Sequence, residues 1–152
     1  SGTTGFPKGC IASRNALDAY LEAKNKIHEV SVESVVLLAS AVSFDPCFSD
    51  ILATINAGAT MFLTSRESLS AHLNETLALG NVSHVLCTPT LWSTLAIHDA
   101  DPAKFPNLRV VALGGEHIPK HIIRTWARQD AQDNQPCRLF ATYGVTEACV
   151  YQ

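Results

Sequence analysis

The sequence lacks a long hydrophobic run and an excess of basic residues. Hydrophobic residues make up 47% of the 152 positions, yet no apolar stretch approaches the roughly 18 residues that a membrane-spanning helix needs. The formal net charge is −3, so no basic field is available to hold nucleic acid or an anionic membrane. We therefore predict a cytoplasmic protein with neither a membrane nor a nucleic acid as its partner.

The cysteines and histidines also lack the spacing of a metal or disulfide site. The cysteines number five, and none are spaced as C-x-x-C. Scattered thiols of this kind are typical of a reducing compartment. His117 and His121 are four residues apart, but Pro119 lies between them and no glutamate completes a zinc-binding helix motif. A zinc site is therefore not predicted.

Apolar strand patterns alternate with helical patterns along the chain. Strands are predicted at 35–39, 60–63, 82–87, 109–113 and 138–142. Helices are predicted after Ser13 and at 48–56, 68–79, 88–98 and 119–127, and loops at 99–107 and 129–135. In the first helix Lys24 is expected to lay its stem along the apolar face. The alternation predicts an α/β fold, with a mostly parallel sheet flanked by helices.

The unusual sequences follow the predicted strands. They occupy 41–49, 87–89, 113–116 and 142–147. Ligands of parallel sheets collect at the carboxyl ends of the strands. We therefore expect one rim of the sheet to carry the chemistry.

The first nine residues form a loop of glycines and hydroxyl side chains that ends in a lysine. Glycines let several backbone N–H groups point into one concavity, which suits a polyphosphate. The loop is not a Walker A sequence, because Lys8 is followed by Gly9 rather than by serine or threonine. A flexible linker or turn is the alternative. The candidate phosphate-binding residues are Ser1, Gly2, Thr3, Thr4, Gly5 and Lys8.

Asp45 follows the first predicted strand and precedes Pro46. It could cap a helix or form an Asx turn. Alternatively it is a carboxylate at the bottom of a pocket, where it would select a substrate ammonium because an unpaired charge there is costly.

Two further stretches have both a structural and a functional interpretation. Gly114-Gly115-Glu116 could be a tight strand-to-helix turn, or a bare backbone on which a flat ring lies. In the stretch 142–147, Tyr143 could cover a planar base, Thr146 could donate to a phosphate and Glu147 could bind Mg²⁺. The alternative for this stretch is a core tyrosine followed by the start of a helix.

Together these stretches resemble, in order, four core motifs of the adenylate-forming superfamily. That superfamily includes acyl-CoA synthetases, luciferases and the adenylation domains of nonribosomal peptide synthetases. Asp45 resembles the residue with which amino-acid-activating members hold the α-ammonium, which favours the synthetase branch. Val145 stands where the last motif usually has proline, a variant that resembles fungal synthetases, including siderophore synthetases. Residues 1–152 are thus interpreted as part of the large N-terminal domain, truncated at both ends.

The resemblance implies a reaction, its cofactors and its partners. An amino acid and ATP would form an aminoacyl-adenylate, and the amino acid would pass to a phosphopantetheine thiol on a carrier domain beside a condensation domain. Lys8 and the first loop would hold the β- and γ-phosphates, Thr146 the α-phosphate and Glu147 Mg²⁺. Tyr143 would stack on adenine beside Gly114-Gly115-Glu116. Because the family's later motifs are missing, the 152 residues alone are expected to be inactive.

The resemblance also implies a substrate pocket. Its residues would be Asp45, Pro46, Ser49, Leu86, Val111, Leu113, Thr142, Val150 and Tyr151. Apart from Asp45 this set holds no charge, so a neutral substrate side chain is expected. A carboxylic-acid:CoA ligase of the same superfamily and a nucleotide-binding module without chemistry are the alternatives.

Overall fold

The fold is a parallel five-stranded sheet with helices on both faces. The structure is a computed structural model, and it describes residues 9–95, 101–127 and 137–150. The strands are β1 (Val35–Leu37), β2 (Thr60–Phe62), β3 (His84–Cys87), β4 (Val110–Gly114) and β5 (Arg138–Thr142), in the spatial order β2-β1-β3-β4-β5. All neighbouring strands pair in parallel, so the predicted fold class is confirmed.

Six α-helices and two short 3₁₀ helices connect the strands in the described ranges. The α-helices are α1 (Arg14–His28), α2 (Asp45–Ala57), α3 (Arg66–Ala71), α4 (Leu73–Leu79), α5 (Pro89–Trp92) and α6 (Lys120–Trp126). The 3₁₀ helices are Pro102–Lys104 and Thr146–Ala148. In the part of the chain that the structure describes, no helix is long and apolar enough to cross a membrane.

Three helix boundaries differ from the sequence prediction. Helix α2 begins at Asp45 rather than at residue 48, because Phe44 is extended at the N-cap and Pro46 fits the first turn, where no N–H bond is needed. The helix predicted at 68–79 is split at His72, whose φ of −136° is not helical. The α-helix that Thr88 caps ends at Trp92. Residues 93–95 of its predicted span form turns and a bend instead. Residues 96–98 of that span and the loop predicted at 129–135 lie outside the described residues.

Alternate strand residues pack against different helices. One set of side chains in β3 and β4 packs into a core that includes Trp92 of α5 and Trp126 of α6; its members are Val85, Cys87, Val111 and Leu113. The alternate set lines a space beside Lys24, Asp50 and Thr54 of α1 and α2; its members are His84, Leu86, Val110 and Ala112. The division follows from strand geometry, in which successive side chains point to opposite faces of the sheet. It decides which side chains of the central strands can reach a given face.

A buried ion pair joins α1 to α2. The Lys24 ammonium binds a carboxylate oxygen of Asp50 and donates to Ser49 Oγ at 3.0 Å. The two charged residues are only 7% and 2% exposed. Lys24 therefore belongs to the buried face of α1, and its ammonium meets a carboxylate of α2 instead of solvent. Burial raises the pKa of Asp50, and the charge of Lys24 opposes that rise.

Two buried histidines lie beside this ion pair. His84 Nε2 donates to the backbone carbonyl of His28 at 2.8 Å, and the rings of His28 and Phe140 are 4.8 Å apart. Burial, and next the charge of Lys24, lower the pKa of His28 to about 4. Burial also lowers the pKa of His84. Both rings are therefore neutral at pH 7.

Replacing Lys24 by methionine tests the importance of the ion pair. Lys24→Met leaves the buried Asp50 carboxylate without its partner, which should lower the free energy of unfolding by about 3–5 kcal/mol. The double variant Lys24→Met/Asp50→Leu should recover most of that loss, since no uncompensated charge remains. Lys26→Met, exposed on the same helix, should change stability by less than about 0.5 kcal/mol. Urea denaturation measures all three, and a double variant less stable than Lys24→Met contradicts the prediction.

The lowered pKa of His28 predicts that stability depends on pH. Unfolded histidine titrates near 6.5 and folded His28 near 4, so between these values the unfolded chain binds more protons. The free energy of unfolding should therefore fall as pH decreases from 6.5 to 4, by up to about 3 kcal/mol. His28→Gln should flatten that slope in urea denaturation at a series of pH values. His72→Gln, at an exposed position, is the control and should leave the slope unchanged.

Candidate active site

A cavity of about 560 Å³ lies at the carboxyl ends of the strands. Its wall comes from residues 39–41 and 44–46 after β1, 86–88 and 91 at β3 and α5, 114–115 after β4, and 142, 144–147 and 150 around β5. These segments include part of each unusual sequence that follows β1, β3, β4 and β5. The expected gathering of these sequences at one rim is thus confirmed.

Asp45 is the first residue of α2 and lines this cavity. Phe44, not Asp45, occupies the N-cap, so the capping interpretation is wrong. The Asp45 Oδ2 atom is buried and has no hydrogen-bond partner among the residues that the structure describes. A carboxylate oxygen in this state is stabilised by any cationic donor that enters the cavity. The site can therefore recognise an ammonium group.

Two glycines leave bare backbone at the end of β4. A Cβ on Gly114 would lie 2.1 Å from Thr142 Oγ1 and 2.9 Å from the Thr142 carbonyl oxygen, so no larger residue fits. Gly115 has a φ of +80°, which only glycine adopts readily. Both residues line the cavity. The chain thus turns sharply here and presents backbone instead of side chains.

Glu116 fixes this turn instead of lining the cavity. Its carboxylate accepts from the backbone N–H of Thr90 at 3.1 Å and from the Thr90 hydroxyl. The bond ties the segment after β4 to the start of α5. The sequence did not reveal this pairing, because the two residues are 26 positions apart.

The stretch after β5 brings two polar groups to the rim. Thr146 and Glu147 start a 3₁₀ helix, are exposed and line the cavity. Tyr143 is 79% exposed, so the core-tyrosine interpretation is wrong. In the described ranges, no three or more histidine, cysteine, aspartate or glutamate side chains form a metal-binding group. A metal at Glu147 would therefore depend on ligand oxygens and water for its remaining coordination.

The predicted substrate residues divide into two sets. The cavity wall includes Asp45, Pro46, Leu86, Thr142 and Val150. The structure does not bring Ser49, Val111 or Leu113 to this wall. Tyr151 and the predicted phosphate-binding loop (Ser1, Gly2, Thr3, Thr4, Gly5 and Lys8) lie outside the described residues.

The residues that do not reach the wall have other partners. Val111 and Leu113 are both 0% exposed in the core on the opposite face of the sheet, because β4 side chains alternate between faces. Ala112 is the partner of Leu86 in the strand register and shares its face, and Gly114 is two residues further along. Ser49 is also 0% exposed and bonds Tyr20 and Lys24. These placements correct the three assignments.

Comparison with known proteins places this geometry in context. The family model described as AMP-binding enzyme matches residues 1–151. A nonribosomal peptide synthetase of Aspergillus fumigatus is 31% identical over 99% of the chain, and a tryptophan epimerase of Fusarium equiseti, described as nonribosomal-peptide-synthetase-like, is 35% identical over 99%. The chain spans 2% and 9% of their lengths.

A solved structure shows the same fold. It is a Vibrio cholerae adenylation domain in complex with glycyl-adenosine-5′-phosphate, with a TM-score of 0.83 and 21% sequence identity. The superposition covers 99% of this chain and 28% of that chain. The described sheet and helices thus correspond to part of a larger adenylation-domain fold.

Gly114 is predicted to tolerate no side chain. Gly114→Ala forces Cβ against both the hydroxyl and the backbone of Thr142, so the free energy of unfolding should fall by at least about 2 kcal/mol. Adding Thr142→Ala should restore part of the loss. Gly9→Ala is the control, because no atom of the described residues lies within 4 Å of the added Cβ. Equal stability of Gly114→Ala and Gly9→Ala in urea denaturation contradicts the prediction.

Proposed function

The chain belongs to the AMP-binding enzyme family, and from that premise we propose that the longer protein carrying it activates an amino acid as its adenylate. An oxygen of the amino-acid carboxylate attacks the α-phosphorus of ATP, the bond to the bridging oxygen breaks, and pyrophosphate leaves with the electron pair. A carboxylate is already nucleophilic, so positioning and charge stabilisation are the main tasks of the protein.

The single observation that carries this proposal is the buried Oδ2 of Asp45, a residue of the cavity wall, which has no hydrogen-bond partner in the described ranges. The α-ammonium of an amino acid supplies the missing donor and the opposite charge. A simple carboxylic acid has no such group and would leave Asp45 unpaired, which is costly. This charge argument favours amino-acid activation over a carboxylic-acid:CoA ligase.

The nucleotide is assigned to the neighbouring rim. The bare backbone of Gly114 and Gly115 offers a flat surface for adenine, and the exposed ring of Tyr143 can stack on its other side. Thr146 lines the cavity, and its hydroxyl is proposed to donate a hydrogen bond to the α-phosphate. Glu116 holds the turn in place through Thr90. Lys8 and the loop from Ser1 to Gly5 are proposed to hold the β- and γ-phosphates.

Glu147 is the residue proposed to hold Mg²⁺. Its exposed carboxylate lines the cavity beside Thr146. A single protein carboxylate, together with phosphate oxygens and water, is a common arrangement for this ion. When bound, Mg²⁺ neutralises charge on the triphosphate.

The substrate side chain is proposed to be neutral. Among the predicted pocket residues that line the cavity, Asp45 alone is charged, and it is assigned to the α-ammonium. The activated amino acid would then pass to a phosphopantetheine thiol of a carrier domain working with a condensation domain. The 152 residues alone are proposed to have no turnover.

Replacing Asp45 tests the assignment in the longer protein that carries this chain. Asp45→Ala should reduce amino-acid-dependent ATP–pyrophosphate exchange at least about 100-fold, because the ammonium loses its counter-charge. ATP binding, followed by equilibrium titration, should be largely unchanged. Asp18→Ala, at an exposed ion pair on α1, is the control and should keep full exchange. Exchange that survives Asp45→Ala contradicts the assignment.

A further inference from the structure

A second cavity lies among α5, α6 and the 3₁₀ helix Pro102–Lys104, and we call it the indole cavity. It measures about 710 Å³, within the range of small-molecule sites in proteins. The apolar part of its described wall consists mainly of Trp92, Leu95, Ile122 and Trp126. None of its described residues lines the cavity at the strand ends. The indole cavity is therefore separate from the candidate active site.

Two indole rings form the aromatic part of this wall. Trp92 and Trp126 are each 1% exposed, and their ring centroids lie 4.9 Å apart in an edge-to-face arrangement. Leu95 and Ile122 are also buried. A flat apolar molecule is stabilised by such a wall, because it leaves water and packs against ring faces and edges. The body of a ligand for the indole cavity is therefore expected to be flat and apolar.

The Trp92 indole carries a hydrogen-bond donor without a partner. Its Nε1 atom is buried and has no hydrogen-bond acceptor among the residues that the structure describes. Indole N–H groups donate and do not accept. A buried donor in this state favours binding of a molecule whose oxygen reaches it, because the new bond offsets the cost of the donor's desolvation. The complementary polar atom of the ligand is therefore an acceptor.

The charges around the indole cavity disfavour an anion as that acceptor. The described wall contains one carboxylate, Asp101, and no lysine or arginine. A ligand carboxylate or phosphate would thus enter beside a like charge, with neither of these cations to balance it. One Asp101 oxygen already accepts from the backbone N–H of Ala103 at 2.9 Å. A neutral carbonyl oxygen meets the Trp92 donor without adding charge.

We propose that the indole cavity binds a neutral, flat and largely apolar molecule that carries a carbonyl oxygen, an aryl ketone being the simplest example. The carbonyl oxygen accepts from the Trp92 Nε1–H, and the aryl ring packs against Trp126 and Ile122. This proposal does not depend on amino-acid activation, since the two cavities share no described residue. It assigns a second ligand site to the chain.

Two small molecules of the same shape test the hydrogen bond. Acetophenone has a carbonyl oxygen where α-methylstyrene has a methylene group, so only acetophenone can accept from Trp92. The dissociation constants of both are measured by saturation-transfer NMR titration of the longer protein that carries this chain. Trp92→Phe keeps an aromatic ring and removes the N–H. It should weaken acetophenone binding relative to α-methylstyrene binding by at least about 3-fold.

A pair of variants on α6 tests the location. Thr125 is exposed and lines the indole cavity, so Thr125→Trp should fill the cavity and abolish binding of both molecules. Ile123→Trp is the control, because it adds a side chain of the same kind at an exposed position outside the described wall. It should leave both dissociation constants unchanged. Binding that survives Thr125→Trp overturns the proposal, and so does a native protein that binds neither molecule.

The role of the donor is decided separately. An unchanged ratio of the two dissociation constants in Trp92→Phe shows that the indole donates no bond to the ligand. If Trp92→Phe does not fold, the native protein is compared with cyclohexane, a solvent that offers no donor. The native protein should prefer α-methylstyrene to acetophenone by a smaller factor than cyclohexane does in partition from water. An equal factor overturns the proposal.

Discussion

The buried contact between Lys24 and Asp50 is the constraint on which the site depends. Asp50 lies five residues after Asp45 in α2, which is about a turn and a half of helix. Because both residues belong to one helix, the bond that fixes Asp50 against α1 also fixes the position of Asp45. Ser49 adds a second contact to α1 through Tyr20 and Lys24. Helix α2 therefore begins at the rim with its first residue, Asp45, in the cavity wall. The contact acts through orientation, since neither Lys24 nor Asp50 lines that cavity.

The second constraint is the alternation of side chains in the parallel sheet. Leu86 and Ala112 share the face toward α1 and α2, whereas Val111 and Leu113 face the tryptophan-rich core. A shift of one position therefore moves a residue from the face toward α1 and α2 to the opposite face of the sheet. Gly114 ends β4 on the face toward α1 and α2, where the close approach of Thr142 excludes a side chain.

The sequence was sufficient to predict the architecture and the rim, because both depend on local patterns. Apolar runs separated by helical periods define parallel strands, and the bounds predicted for β5 agree with the structure. The pairing of Lys24 with Asp50 was not predictable, since a lysine on an apolar helix face usually reaches solvent. The face of the sheet on which Val111 and Leu113 lie was not predictable either, because it depended on strand register. The bond between Glu116 and Thr90 depended on tertiary contact.

The cavity wall is main chain at one end and side chain at the other. Around Gly114 and Gly115 the wall is main chain, and neither position accepts a side chain without clash or strain. Around Leu86 and Pro46 the wall is side chain, which a single base substitution can alter. Under the proposed function, natural variation at these side chains would diversify the accepted building block, whereas the glycine wall assigned to the energy-carrying molecule would stay constant.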